Sequence, residues 1–369
     1  PTSARRARRA SQIFMGEEYA GTAGSASQSV DHHGSVLTNR GMGRAFLPLA
    51  LLALLIAGCT PTAIDPRVPL KIEPVMKTVQ TGPAAYELHL ASRTLVPLSG
   101  QGPKVRLVAA VHIAERDYYR QVQRILDGDA ITLFEGVSNK KDDFKKQGPV
   151  RRPEALYTKM ADALGLISQY EGIDYRREHF HNADLTQAEM LARLRGETLT
   201  TPRPEGPDQP LGPPDKVAEA KFKMMMDVMQ GGGLSGLIAD VGLTFVKYNP
   251  RLRATMLLGI IGTDPAASEK QLAKQLGGES GKRISKLILE ERNQEAVSGL
   301  RRFIGQRKAG ETVALFYGAA HLEGIEDALI RRFGYVPEST EWLVAIRVNG
   351  AEAGLTPEQA KEALKMTRK

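Results

Sequence analysis

The chain has 369 residues, 42% of them apolar and 25% charged, a globular balance with a single cysteine. One thiol excludes an intramolecular disulfide and a cysteine-rich metal site. The formal charge of +8 is mild. With no basic patch interleaved with aromatic residues, it points away from nucleic acid and suits anionic lipid or cell-wall polymer.

Residues 1–41 carry Arg5, Arg6, Arg8 and Arg9 and continue in Gly, Ser and Ala with no apolar core close behind. They read as a disordered extension or an overlong reading of the gene. Residues 42–58 have the order of a secretory signal: Arg44, an apolar run, then small residues. The run is shorter than the roughly 20 residues a spanning helix needs. Its end, Ile56-Ala57-Gly58-Cys59, matches the lipobox of bacterial lipoprotein signals. The expectation is cleavage before Cys59 and a diacylglycerol thioether on its sulfur; the plainer reading is an uncleaved apolar anchor with an incidental Cys59. Residues 59–84 open on a Pro-rich tether. Thr60 in place of Asp favours a periplasm-facing position on the outer membrane.

Alternation over Tyr86–Ser92 predicts a half-buried strand, followed by a turn at Gly100–Lys104. Val105–Val111 and Ile131–Phe134 are apolar runs of buried strands, with a helix over Asp117–Leu126 between them. The charged stretch 139–152 reads as loop, residues 153–166 as a helix and 170–175 as a short strand around Ile173. Thr186 and Glu189 form a capping box opening a helix to Leu194. Residues 200–215 read as an exposed loop, and Val217–Met229 as a Met-rich helix. Gly231–Gly262 is apolar but interrupted by Asp240, Lys247 and Arg251, which argues for a packed hairpin or helix pair over a membrane span; an amphipathic face resting on a bilayer is the other reading. A helix over Ile284–Gln306, a strand over Thr312–Tyr317, a helix over Glu326–Phe333 and a strand over Trp342–Val348 complete the pattern. Buried strands alternating with helices predict an α/β fold: a buried mixed or largely parallel sheet flanked by helices, over residues 85–350, with a helical insertion at about 200–280 and a helical tail at 351–369.

Three of the buried strands run into an ionisable residue: His112, Glu135, and His321 after Gly318-Ala319-Ala320. In open α/β sheets, ligands gather outside the carboxyl ends of the strands. If these strands are neighbours, two imidazoles and a carboxylate converge, a set suited to a divalent ion such as Zn, Mn or Co. Each residue taken alone has a plainer reading as a hydrogen-bonded strand end, and Gly136 and Gly318 as turns. The helix from Ile284 begins with the apolar stripe Ile284, Leu287 and Ile288. The same face then carries Glu291, Glu295 and Ser298, with Arg292 beside it, which suits either a helix entering a polar site or a solvated second half.

Together these residues resemble the TraB/Tiki (TraB/PrgY/GumN) family, over about Val105–Val348. The family carries two G-x-x-H motifs, a Glu after the second core strand and a late E-R-N. Here Gly318-Ala319-Ala320-His321 matches the second G-x-x-H, with Leu322 and Gly324 following. Phe134-Glu135-Gly136 matches the strand-end Glu, and Glu291-Arg292-Asn293 the E-R-N. Ala109-Ala110-Val111-His112 departs from the first motif, with Ala where the family has Gly, which bears on close backbone approach at 109. The resemblance implies a metal-dependent hydrolase, in particular a peptidase. Glu135, Arg292 and Asn293 would be catalytic, and His112, Glu135 and His321 metal ligands. Arg292 would stabilise the developing oxyanion. Asp174, His181, Asp184, Glu291 and Gly318 are secondary candidates. The alternative on the same fold is a non-catalytic binding lipoprotein for haem, a peptide or an envelope partner.

Overall fold

The computed structural model describes residues 72–366 except 142, 147, 150, 151, 153, 154, 200–207, 232, 265–273 and 275, and describes no side chains over 233–239. The expected extension, signal segment and Cys59, with the first part of the tether, lie outside the described residues. So do parts of the expected loop at 200–215 and of the insertion.

In chain order the elements are β1 (Met76–Gly82), β2 (Ala85–Pro97), β3 (Lys104–Ala110), β4 (Ile113–Ala114), α1 (Arg116–Asp127), β5 (Ile131–Phe134), α2 (Leu156–Leu164), β6 (Ile167–Ser168), the single turn α3 (Gln169–Gly172), β7 (Phe180–Asn182), α4 (Gln187–Leu194), α5 (Lys216–Met229), α6 (Gly233–Tyr248), α7 (Pro250–Ile261), α8 (Gly278–Lys286), a π-helical turn (Leu287–Glu291), α9 (Arg292–Ile304), β8 (Thr312–Gly318), α10 (Ala319–Phe333), β9 (Tyr335–Asn349) and α11 (Pro357–Lys365).

A mixed seven-stranded sheet forms the centre, and the fold is α/β. β3, β8, β5 and β7 lie side by side and parallel. β2 is antiparallel to β1, β3 and the long β9. The parallel strands are covered on both faces, which is why β5 and β8 read as unbroken apolar runs. β1, in contrast, is polar at most positions and never fully buried, as an edge strand tolerates. Since β3, β8 and β5 are adjacent and parallel, their carboxyl ends open on one edge of the sheet.

Three local departures from expectation have identifiable causes. The segment 170–175 contains a helical turn, not a strand: the Gln169 N–H donates to His112 O (2.9 Å) and its side chain to the Tyr175 hydroxyl (2.8 Å). The strand falls later, at β7. The helix after β8 begins at Ala319, so His321 sits in its first turn. The long helix near Ile284 is interrupted by the π turn just before Arg292.

The apolar stretch 231–262 is a helix pair. Asn249 caps α7 through Leu252 N–H (3.0 Å), and Pro250 stands at its first turn. α7 buries Ala254, Leu257, Leu258 and Ile261, whereas α6 leaves Val241, Phe245 and Tyr248 exposed. Among the described residues no helix is long and apolar enough to cross a membrane. α4, α5, α8 and the π turn share a second apolar cluster of Leu185, Met190, Leu194, Ala218, Phe222, Ile284 and Leu287. The tail helix α11 packs against α7 and buries Ala360 and Ala363.

Candidate functional site

Glu135 follows β5 at the open edge, and Arg292 reaches it from the first turn of α9. Arg292 Nη2 donates to Glu135 Oε1 at 2.5 Å and to Asp184 Oδ2 at 2.7 Å, while its Nε donates to Asp184 Oδ1 at 2.9 Å. One guanidinium is therefore clamped between two carboxylates. Asp184 is wholly buried, and its oxygens also accept from the backbone N–H groups of Leu185 (2.8 Å) and Gly136 (3.0 Å). A carboxylate with four donors is as well compensated as a buried charge can be. Asn182 braces the same corner, donating to Gly136 O (2.8 Å) and accepting from Asp184 N–H (2.9 Å).

His321 approaches from α10. Its Nδ1 lies 2.7 Å from Asn293 Oδ1, and its Nε2 lies 3.6 Å from Glu135 Oε1. An amide oxygen can only accept, so Nδ1 carries the proton and Nε2 presents its lone pair to the carboxylate. Two glycines make this approach feasible. A Cβ at Gly318 would stand 3.0 Å from Glu135 Oε2, and one at Gly324 would stand 2.6 Å from Asn293 Nδ2. The Gly318 N–H also donates to Glu135 Oε2. Tyr317, packed edge-on against His321 at 5.5 Å, donates its hydroxyl to Ala183 O at 2.6 Å and ties β8 to the Asp184 corner.

His112, after β3, lies against the Tyr157 ring, with centroids 4.1 Å apart. It is close enough for the charges of Glu135 and Arg292 to act on it. Ala109 is fully buried in β3, and its carbonyl accepts from the Tyr118 hydroxyl, so the departure from the G-x-x-H pattern falls in the core.

Burial is the largest influence on Glu135 and pushes its pKa up, but Arg292, His321, His112 and the Gly318 N–H together hold it at about 2. Burial pushes His321 down to about 4, against the pull of Glu135. At His112, burial likewise lowers the pKa. Glu135 pulls it the other way, and the residue is exposed to solvent. Arg292 is held well above its ordinary value: burial works against its charge, and the carboxylates of Asp184 and Glu135 prevail.

The other secondary candidates lie elsewhere. Asp174 accepts from Arg176 N–H (3.1 Å), Nε (2.8 Å) and Nη2 (2.9 Å), closing a surface turn. His181, on β7, faces Phe303 of α9 at 4.9 Å. Glu291 is buried but pairs with Arg193 at 3.0 Å, toward the second apolar cluster. Glu295 is buried and pairs with Lys141 at 2.6 Å. The charged continuation of the helix face thus points inward.

Sequence reasoning missed the bracing roles of Asn182 and Tyr317. The Asn-Ala-Asp spacing of an Asx turn at 182–184 was the available signal for the first. A groove of about 640 Å³ runs along α1 past Asp117, Arg120 and Arg124.

A metal fits this site in part. Two ligands each about 2.1 Å from one ion stand some 3.3–3.6 Å apart at tetrahedral angles, and Glu135 Oε1 and His321 Nε2 are 3.6 Å apart. His112 stands beside this pair; among the described residues no three His, Cys, Asp or Glu side chains converge as a formed metal cluster. Comparison with protein-family models, curated proteins and solved structures gave no match to the chain.

Proposed function

We propose that this chain is an envelope-facing, metal-dependent hydrolase whose site is the open sheet edge carrying His112, Glu135, Arg292, Asn293 and His321. The observation that carries the reading is the 3.6 Å gap between the Glu135 carboxylate and the unprotonated Nε2 of His321. Two electron-rich atoms held face to face in a buried corner favour a cation between them, beyond the Arg292 Nη2 that already donates to Glu135 Oε1. The low pKa values of both groups argue for ligation over general-base catalysis. A general base works best with a pKa near the operating pH, and these groups stay deprotonated far below it.

Glu135 and His321 would hold a Zn, Mn or Co ion, with His112 as third ligand on its solvent side. Such an ion supplies a water of lowered pKa and polarises a carbonyl. This chain's own residues do the rest. Asn293 fixes the His321 tautomer. Arg292 and the Gly318 N–H fix Glu135. With Nε and Nη2 committed to carboxylates, Arg292 acts by holding Glu135 instead of meeting an oxyanion. Peptides are the substrate class the family resemblance suggests.

Metal content of the purified chain tests the reading, together with cleavage of a mixed peptide library. The expected result is one divalent ion per chain, lost in His321→Ala and Glu135→Gln along with cleavage. An equal metal content in the variants, or cleavage that survives them, overturns it.

A non-catalytic binding lipoprotein has one observation in its favour: both Glu135 oxygens already accept hydrogen bonds from the protein. For location, we propose lipidation at Cys59. Intact-mass analysis should show a diacylglycerol adduct that disappears in Cys59→Ser.

A further inference from the structure

One face of α6 is apolar and exposed. Val241, Phe245 and Tyr248 follow the i, i+4, i+7 spacing of a single stripe and are 70%, 65% and 77% exposed. The opposite side of the helix is engaged: Val246 is buried, and Asp240 pairs with Lys159 at 2.8 Å. Isolated exposed apolar residues are ordinary, but three in register on one helix form a patch. In the sequence, Leu234, Leu237 and Ile238 repeat the spacing toward the helix start.

The charges beside the stripe indicate what covers it. Lys247 and Arg251 are exposed next to Tyr248, and residues 241–262 contain no Asp or Glu. An apolar stripe with exposed cations at its carboxyl end, and with its neighbouring acid Asp240 already paired to Lys159, suits a helix lying in the headgroup region of an anionic bilayer, with Tyr at the boundary. It suits a second copy of the chain poorly. A two-fold contact would bring Lys247 and Arg251 of each copy together, and the neighbouring acid Asp240 is already paired with Lys159.

We infer that α6 docks on an anionic lipid surface through Val241, Phe245 and Tyr248, with Lys247 and Arg251 binding headgroup phosphates. The chain outside the structure makes this attainable. Twelve residues separate Cys59 from the first described residue, thirteen Cα–Cα steps with a reach of at most ~45 Å. A weak contact suffices when the protein is already confined near the bilayer. That last step rests on the proposed lipid anchor; the chemistry of the face does not.

The test uses the full-length chain. Trp342 is its only tryptophan, so Phe245→Trp in a Trp342→Phe background reports on the stripe, and Leu98→Trp in the same background is the control at another exposed position. Phosphatidylcholine–phosphatidylglycerol vesicles with brominated acyl chains should quench Trp at 245 roughly threefold more than Trp at 98. Lys247→Glu with Arg251→Glu should abolish the difference. If Trp342→Phe impairs folding, the same comparison is made by difference with Trp342 retained. Equal quenching at 245 and 98 overturns the inference. So does a vesicle-independent doubling of mass with a blue shift at 245, which assigns the face to a second copy. A chain lipidated at Cys59 and bound to vesicles, but with Trp unquenched at 245, overturns the docking face and leaves the anchor standing. Quenching at 245 in Cys59→Ser supports the face without the anchor.

Discussion

Arg292 is the residue on which the corner depends. Its guanidinium bridges Glu135 and Asp184, both largely or wholly removed from water. Without it, two carboxylates would face each other in a low-dielectric pocket with only backbone donors to offset them. Breaking a buried ion pair from one side costs about 3–5 kcal/mol, because the partner's charge is left uncompensated. Arg292→Ala should therefore lose stability on that scale in urea denaturation. Arg292→Lys should recover only part, since a point charge cannot make the forked contact with Asp184. Adding Asp184→Asn to Arg292→Ala should restore stability by removing one of the stranded charges. A double variant no more stable than the single one would show that the corner is not held by this charge balance.

The elements carry this corner through close approaches that only glycine permits. Gly324 is exposed on α10, so replacing it with Ala should favour the helix by up to about 1 kcal/mol. The added Cβ would, however, come 2.6 Å from Asn293 Nδ2 and push that side chain off His321. Gly324→Ala should thus fold about as stably as the parent while His321 loses its fixed tautomer. Nitrogen chemical shifts of the imidazole check this: protonated Nδ1 in the parent, a tautomer mixture in the variant. An unchanged tautomer would mean that Asn293 does not set it. The same scale explains what was legible in the sequence. β5 and β8 were readable because burial on both faces leaves an unbroken apolar run, and so was the turn-and-cap chemistry at Thr186. β1 was not, because MKTVQTG is the composition of an edge strand whose pairing comes from the sheet and not from its own pattern. The π turn was invisible because Leu287–Glu291 reads as ordinary helix; its extra residue matters only through where it aims Arg292. Of the site, the residues at strand ends were legible, since a charge after a buried run needs a partner. Which partner it finds depends on a sheet order that places β8 between β3 and β5. Asp184, 49 positions from Glu135 in sequence, meets it only through the β5–β7 pairing and Arg292.

At the scale of the whole molecule, the site ties folding to pH. His321 binds a proton near 6.5 in the unfolded chain and near 4 in the folded one. Between those values the unfolded state takes up a proton that the native state refuses. Stability is therefore undiminished above pH 6.5 and falls as the pH drops toward 4, by at most about 3 kcal/mol. Glu135 adds a second loss lower down. Its folded pKa of about 2 lies below its ordinary 4.5, so its contribution is complete above pH 4.5 and disappears as the pH falls toward 2. Asp129 and Glu326 act in the opposite sense: burial raises their pKa values against the pull of Arg106 and Arg93, so protonation on the way down relieves a cost. The acid limb should consequently start near pH 6.5, where His321 and, in the same direction, His112 act before the carboxylates titrate. Urea midpoints measured from pH 8 to pH 4 should decline in the parent and decline less in His321→Gln, which keeps a neutral polar side chain without the titration. A bound divalent ion competes with the same proton for Nε2, so loading with Zn or Mn should steepen the decline in the parent and leave His321→Gln unaffected. Parallel pH profiles for the two chains, with and without metal, would remove His321 from both roles at once.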